Sequence, residues 1–214
     1  GIGTTFNGVS GIIGPSGVPI TDQAMEFNPA NRSAHPVQVP TNQQSGSPSP
    51  RSLTAAQMEP RWSATGTQTM YCSDCHGNDE QTSMTVPQGP HGADSRFMLT
   101  GRGTFWPTAR TGDPWSLNDV RGNLNNWQTE LFCANCHVLY DAGGFKNNVH
   151  AGSAHQGADI RCITCHVAVP HGAERSRLIG YASDPAPYNY LGAGQFDRLV
   201  IDGFSKANSP FSYN

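Results

Sequence analysis

The chain has 214 residues, a formal net charge of −3 and only 14 % charged residues, so it offers no basic face for nucleic acid and no apolar run that spans a bilayer as a helix. Hydrophobic residues are 36 %, below the roughly 45–50 % of an ordinary domain, while Gly (24) and Pro (16) run high. Such a protein core is thin: either much of the chain is loop, or an apolar component that is not protein fills the centre.

Residues 1–61 contain no Cys and are rich in Gly, Pro, Ser, Thr and Asn, with turn formers at Gly14-Pro15-Ser16-Gly17 and from Ser45 to Pro50. This stretch reads as an extended arm whose one helical hint is Leu53 to Met58, with Ser52 placed as N-cap. Residues 62–172 carry all six Cys and seven of the eight His. Within them Leu124 to Tyr140 is the best helix candidate, because Leu124, Trp127, Leu131, Val138 and Leu139 recur roughly at helical spacing. Residues 173–214 are rich in aromatics, Gly and Asn and carry no Cys or His, which suits a cover or an interface segment. The expected fold is mostly irregular coil with a few short helices and little β structure, the three stretches forming one structural unit. The chain opens at Gly1 without Met, basic n-region or apolar h-region, as a chain does once its signal peptide is removed, so export is expected.

All six Cys fall in pairs with two residues between, each pair followed at once by His: Cys72/Cys75/His76, Cys133/Cys136/His137 and Cys162/Cys165/His166. Attachment of haem c asks for two thiols that span the two vinyl groups on one porphyrin edge and a His that reaches beneath the iron. Two intervening residues on a turn supply that span. Structural zinc would need two Cys pairs converging on one tetrahedral ion, and disulfides need no trailing His. Three covalently attached haems c are therefore the expected cofactors, and porphyrin accounts for the thin protein core.

Each iron then needs a sixth ligand, and five His remain: His35, His91, His150, His155 and His171. They suffice for bis-His ligation at all three irons, which closes each iron to substrate and suits electron transfer. His91 and His171 share a Pro-His-Gly setting in which Pro fixes the backbone and Gly allows a close approach to a flat ring. His155 lies seven residues before Cys162 and His150 five earlier, within reach of a neighbouring motif. His35, 37 residues before Cys72, is either a ligand delivered by the arm or a surface His. Met25, Met58, Met70, Met84 and Met98 read as packing residues, and Trp62, Trp106, Trp115 and Trp127 as fillers of loops or porphyrin faces. Eleven of the thirteen basic residues are Arg, and Arg161, beside Cys162, is the named candidate for a haem propionate. No Cys-x-x-Cys-Lys is present, and Lys146 and Lys206 lie away from the Cys pairs, so an enzyme such as a multihaem nitrite or hydroxylamine reductase is the weaker reading.

Val149-His150, Ala154-His155, Ile160 to His166, Val169-Pro170-His171-Gly172 and Ser33-Ala34-His35-Pro36-Val37 resemble the ligand pattern of multihaem c-type cytochromes of the bacterial periplasm and outer surface. That resemblance implies stacked and T-shaped bis-His haem pairs and electron transfer without a bound substrate, between a redox-protein donor and an external acceptor. Some members polymerise into extracellular filaments. With 214 residues for three haems, about 71 each, this chain spends its excess on segments of low charge that suit subunit interfaces. A homopolymer is expected, with an arm that carries His35 to a neighbour's haem. A soluble periplasmic shuttle is the alternative.

Overall fold

A computed structural model of the chain describes residues 9–13, 19–21, 23–43, 45, 53–78, 92–93, 95–122, 127–139, 160–173, 175–194 and 196–202. Their backbone is mostly irregular, with short helices, 3-10 turns and two two-stranded antiparallel sheets. Strand β1 (Val9–Ile13) pairs with β2 (Pro19–Thr21), and β3 (Ser33–Ala34) with β4 (Gly172–Ala173). The α-helices are α1 (Gln23–Glu26), α2 (Leu117–Gly122) and α3 (Trp127–Glu130). Among the described residues no helix exceeds six residues, far below the roughly 12–15 at which a helix holds itself in water, so each depends on what it pairs with. None is long and apolar enough to cross a membrane.

The chain forms two compact units: Gly1–Ser52 with Gly66–Thr69 and Ile163–Asn214, and Leu53–Thr65 with Met70–Cys162. The sequence boundaries at 61 and 172 follow where ligands lie, whereas these units follow which segments pair. In the first unit Val167, Ala173 and Tyr188 form a buried cluster against which Val169 and Leu178 pack. In the second unit the centre is Trp115, with no exposed surface. Its indole Nε1 donates to the Phe105 carbonyl at 3.1 Å, its amide to Pro107, and its own carbonyl accepts from the Cys162 amide at 2.8 Å. A buried indole whose N–H is matched stabilises by area without leaving an orphan donor. Trp62, Trp106 and Trp127 are buried as well.

The helix predicted from Leu124 to Tyr140 is not continuous. Helix α3 ends at Glu130, Leu131 is extended (φ −71°, ψ 122°), and a 3-10 turn over Phe132–Asn135 follows. A pairing causes the break: buried Leu131 forms a parallel bridge with Phe105, whose amide donates to Glu130 and whose carbonyl accepts from Phe132. Leu124 and Tyr140 themselves lie outside the described residues. The helical hint before Met58 is a 3-10 turn, Ala55–Gln57, capped by Thr54, whose N–H donates to Gln57 Oε1 at 3.0 Å. Ser52 lies outside the described residues. Helix α2 escaped the sequence reading although it carries a start signal: the Ser116 amide donates to Asp119 Oδ2, and the Asp119 amide to Ser116 Oγ.

Candidate haem sites

All three Cys pairs open on 3-10 turns, Cys72–Asp74, Phe132–Asn135 and Cys162–Thr164. In the first two, the His amide turns back to the first Cys carbonyl, His76 to Cys72 at 2.8 Å and His137 to Cys133 at 3.0 Å.

One backbone pattern backs all three motifs. His76 bridges antiparallel to Leu99, His137 to Met58 and His166 to Ile179. In every case the residue after the bridge partner donates to the second Cys carbonyl: Thr100 to Cys75 (3.0 Å), Glu59 to Cys136 (2.8 Å) and Gly180 to Cys165 (2.9 Å). The residue after the His donates to the carbonyl before the partner: Gly77 to Met98 (2.8 Å), Val138 to Gln57 (3.0 Å) and Val167 to Leu178 (3.0 Å). A 3-10 turn precedes each partner, at Arg96–Met98, Ala55–Gln57 and Ser176–Leu178. The cradle is built from backbone groups, so it demands no particular side chains.

Two cradles also hold the imidazole. His76 Nδ1 donates to the Phe97 carbonyl at 2.9 Å, and His166 Nδ1 to the Arg177 carbonyl at 3.0 Å. A carbonyl only accepts, so the proton sits on Nδ1, which makes Nε2 the ring nitrogen with the acceptor lone pair. Burial pushes the His166 pKa below its ordinary value, which favours the neutral, ligating form. Four of the thiols are shifted away from activation: burial pushes Cys133 and Cys136 up to about 12 and Cys75 to about 11, and raises Cys165. Redox-active or nucleophilic cysteines show the opposite shift. None of the six is in a disulfide. Among the described residues no three His, Cys, Asp or Glu side chains gather as a bare ion requires. This donor set fits haem c, with two thiols for the vinyl edge and one imidazole in each motif.

The first two motifs share a scaffold. Asn135, inside the second, accepts from the Gly103 amide at 2.8 Å and donates to the Gly103 and Thr100 carbonyls at 2.7 and 3.3 Å, while Thr100 is the residue bonded to Cys75. Cys75 and Asp74 also contribute to raising the Cys136 thiol pKa, a sign of their proximity. Arg161 donates to the Pro114 carbonyl at 3.1 Å, a backbone partner that sequence could not foresee.

Of the five candidate distal ligands, His35 and His171 are brought together. They flank the β3–β4 pair, the His35 amide donating to the His171 carbonyl at 2.9 Å. His35 Nδ1 donates to the Pro170 carbonyl at 2.5 Å, and burial lowers the His35 pKa. His171 Nδ1 meets Glu26 Oε2 at 2.6 Å, and Tyr188 Oη donates to Glu26 Oε1. Glu26 and Tyr188 were not anticipated; neither stands in a motif. The glycine of Pro170-His171-Gly172 also meets a local need: a Cβ there would run into the Glu26 carbonyl oxygen, so Gly lets the backbone pass the residue that partners His171. His91, His150, His155 and Met84 lie outside the described residues.

The sequence holds a further signal. Pro90-His91-Gly92-Ala93-Asp94 and Pro170-His171-Gly172-Ala173-Glu174 both lead, eight residues after the His, to the bridge partner, Leu99 or Ile179. Just before it, Phe97 and Met98 (φ 61° and 55°) and Arg177 and Leu178 (φ 62° and 57°) adopt the same left-handed turn. No protein-family model, no curated protein and no solved structure matches the chain.

Proposed function

We propose that this chain transfers electrons through three covalently attached haems c. The observation that carries the reading is the threefold repetition of one backbone cradle around Cys-x-x-Cys-His, with the Nδ1 proton of His76 and His166 committed to a carbonyl. The six thiols would form the thioethers, His76, His137 and His166 would ligate the irons from within the motifs, and the further ligands would come from His35, His171, His91, His150 and His155. Haem iron supplies the one-electron chemistry. A His on each distal side closes the iron to substrate, so the activity is electron transfer and not catalysis.

The exported chain works outside the cell or at its surface, as the subunit of a conducting homopolymer that takes electrons from a redox protein and passes them to an external acceptor. Low charge and the exposed apolar side chains of Leu191, Phe196 and Val200, close in sequence, support an interface of this kind. A soluble periplasmic shuttle is the alternative.

Mass spectrometry of the denatured native protein tests the cofactor, with three covalently bound haems expected. A haem-free mass, or stoichiometric zinc, sinks the proposal. Cryo-electron microscopy tests the polymer: filaments with three haems per repeat support it, whereas monodisperse particles of about one chain mass would leave the shuttle.

A further inference from the structure

Glu26 has no exposed surface, yet nothing in the electron-transfer reading uses it. A buried carboxylate is costly unless its oxygens are matched. Here each oxygen has a donor: Tyr188 Oη, itself buried, on Oε1 and His171 Nδ1 on Oε2 at 2.6 Å. The backbone around it is fixed too, since Asn31 Nδ2 donates to the Glu26 carbonyl at 2.9 Å and Gly172 passes hard against that same oxygen. The Phe27 ring lies 4.9 Å from the His171 ring and limits its tilt. His171 is thereby held in one tautomer, with Nε2 turned away from the carboxylate.

His35, the neighbouring candidate ligand, supplies the internal contrast. Its Nδ1 reaches a neutral carbonyl, that of Pro170, where His171 reaches a carboxylate. An anionic acceptor draws the Nδ1 proton more strongly, makes the imidazole a better donor through Nε2, and favours ferric over ferrous iron. If His35 and His171 both served as distal ligands, each would serve a different iron, because each motif would accept only one.

We propose that Glu26, braced by Tyr188, is a positioning residue that orients His171 and lowers the reduction potential of the one iron His171 binds. This rests on the haem reading above. Reduction of an iron held there would add one electron, and the Nδ1 proton would remain between His171 and Glu26.

The test is spectroelectrochemical titration of the native haem-loaded protein and its Glu26→Gln variant, alongside the covalent haem count. Gln keeps the shape and both hydrogen bonds, its Oε1 facing His171 and its amide facing Tyr188, and removes the charge. The expected result is three haems, an unchanged low-spin spectrum, and one transition of three moved upward by about a tenfold change in ferric preference, about 59 mV for one electron. Three unmoved transitions, or three that move together, overturn the proposal. If Glu26→Gln gives no folded protein, Tyr188→Phe decides. Losing that donor concentrates charge on the carboxylate, so the same single transition must move downward, and no movement overturns the proposal. A wild-type protein without haem would instead overturn the electron-transfer reading itself, which the haem count reports separately.

Discussion

The first and third cradles differ from the second in where their backing segment comes from. Leu99 and Ile179 lie 23 and 13 residues after the histidines they bridge, behind a Pro-His-Gly segment and a left-handed turn, whereas Met58 lies 79 residues before His137 behind an ordinary 3-10 turn. The hydrogen bonds that result are nonetheless the same. What the site requires is a main-chain edge at a given register, and the chain meets that requirement by one nearby and one distant route. The first and third turns are themselves secured differently: Ser95 Oγ closes its own turn on the Leu99 carbonyl, while Ser33, from β3, accepts from the Leu178 amide and donates to the Arg175 carbonyl.

The equivalence of the cradles breaks most visibly if one fails to carry a haem. Replacing both Cys by Ala in any one motif should lower the mass by one haem and the Soret absorbance by about a third, equally for all three; an unequal or null loss ends the equivalence. The two Pro-His-Gly segments separate next. Gly172→Ala forces a Cβ onto the Glu26 carbonyl and should destabilise by about 3 kcal/mol, while Gly92, whose added Cβ meets nothing within 4 Å among the described residues, should tolerate Ala in the same denaturant titration. Asn135→Ala removes three hydrogen bonds from the first and second sites together and should cost about 2 kcal/mol, with faster amide exchange at Gly103 but not at Val167. The smallest effect has opposite signs in the two kinds of cradle. Phe97→Gly and Arg177→Gly relieve a left-handed residue and should stabilise or leave stability unchanged, whereas Ala56→Gly, in the second cradle, should destabilise by about 1 kcal/mol in equilibrium unfolding.

What was legible in the sequence was the spacing of the three motifs and the irregular backbone around them. Cys-x-x-Cys-His can be read without a structure, and low hydrophobicity with abundant Gly and Pro announces an irregular backbone. The helix over Leu124 to Tyr140 was misread because apolar spacing reports burial, and Leu131 is buried through a bridge to Phe105 that no periodicity records. Glu26 and Tyr188 escaped because they lie 145 and 17 residues from His171 and meet it only in the fold. The cradles escaped for a similar reason: backbone bonding leaves no residue signature, apart from the paired Pro-His-Gly-Ala-acid segments that end in left-handed turns.

That last feature bears on how such a chain is assembled over generations. A segment that runs from Pro-His-Gly to its bridge residue in under a dozen positions is small enough to be copied whole, and the copy arrives with its turn and its pairing edge already encoded. Duplication followed by drift of the intervening loops would then yield a chain with similar sites at unequal spacing, as the separations of 61 and 29 residues between successive first cysteines show. The second cradle marks the limit of that route, since it recruits its edge from the opposite end of the unit and must be inherited with that distant segment intact.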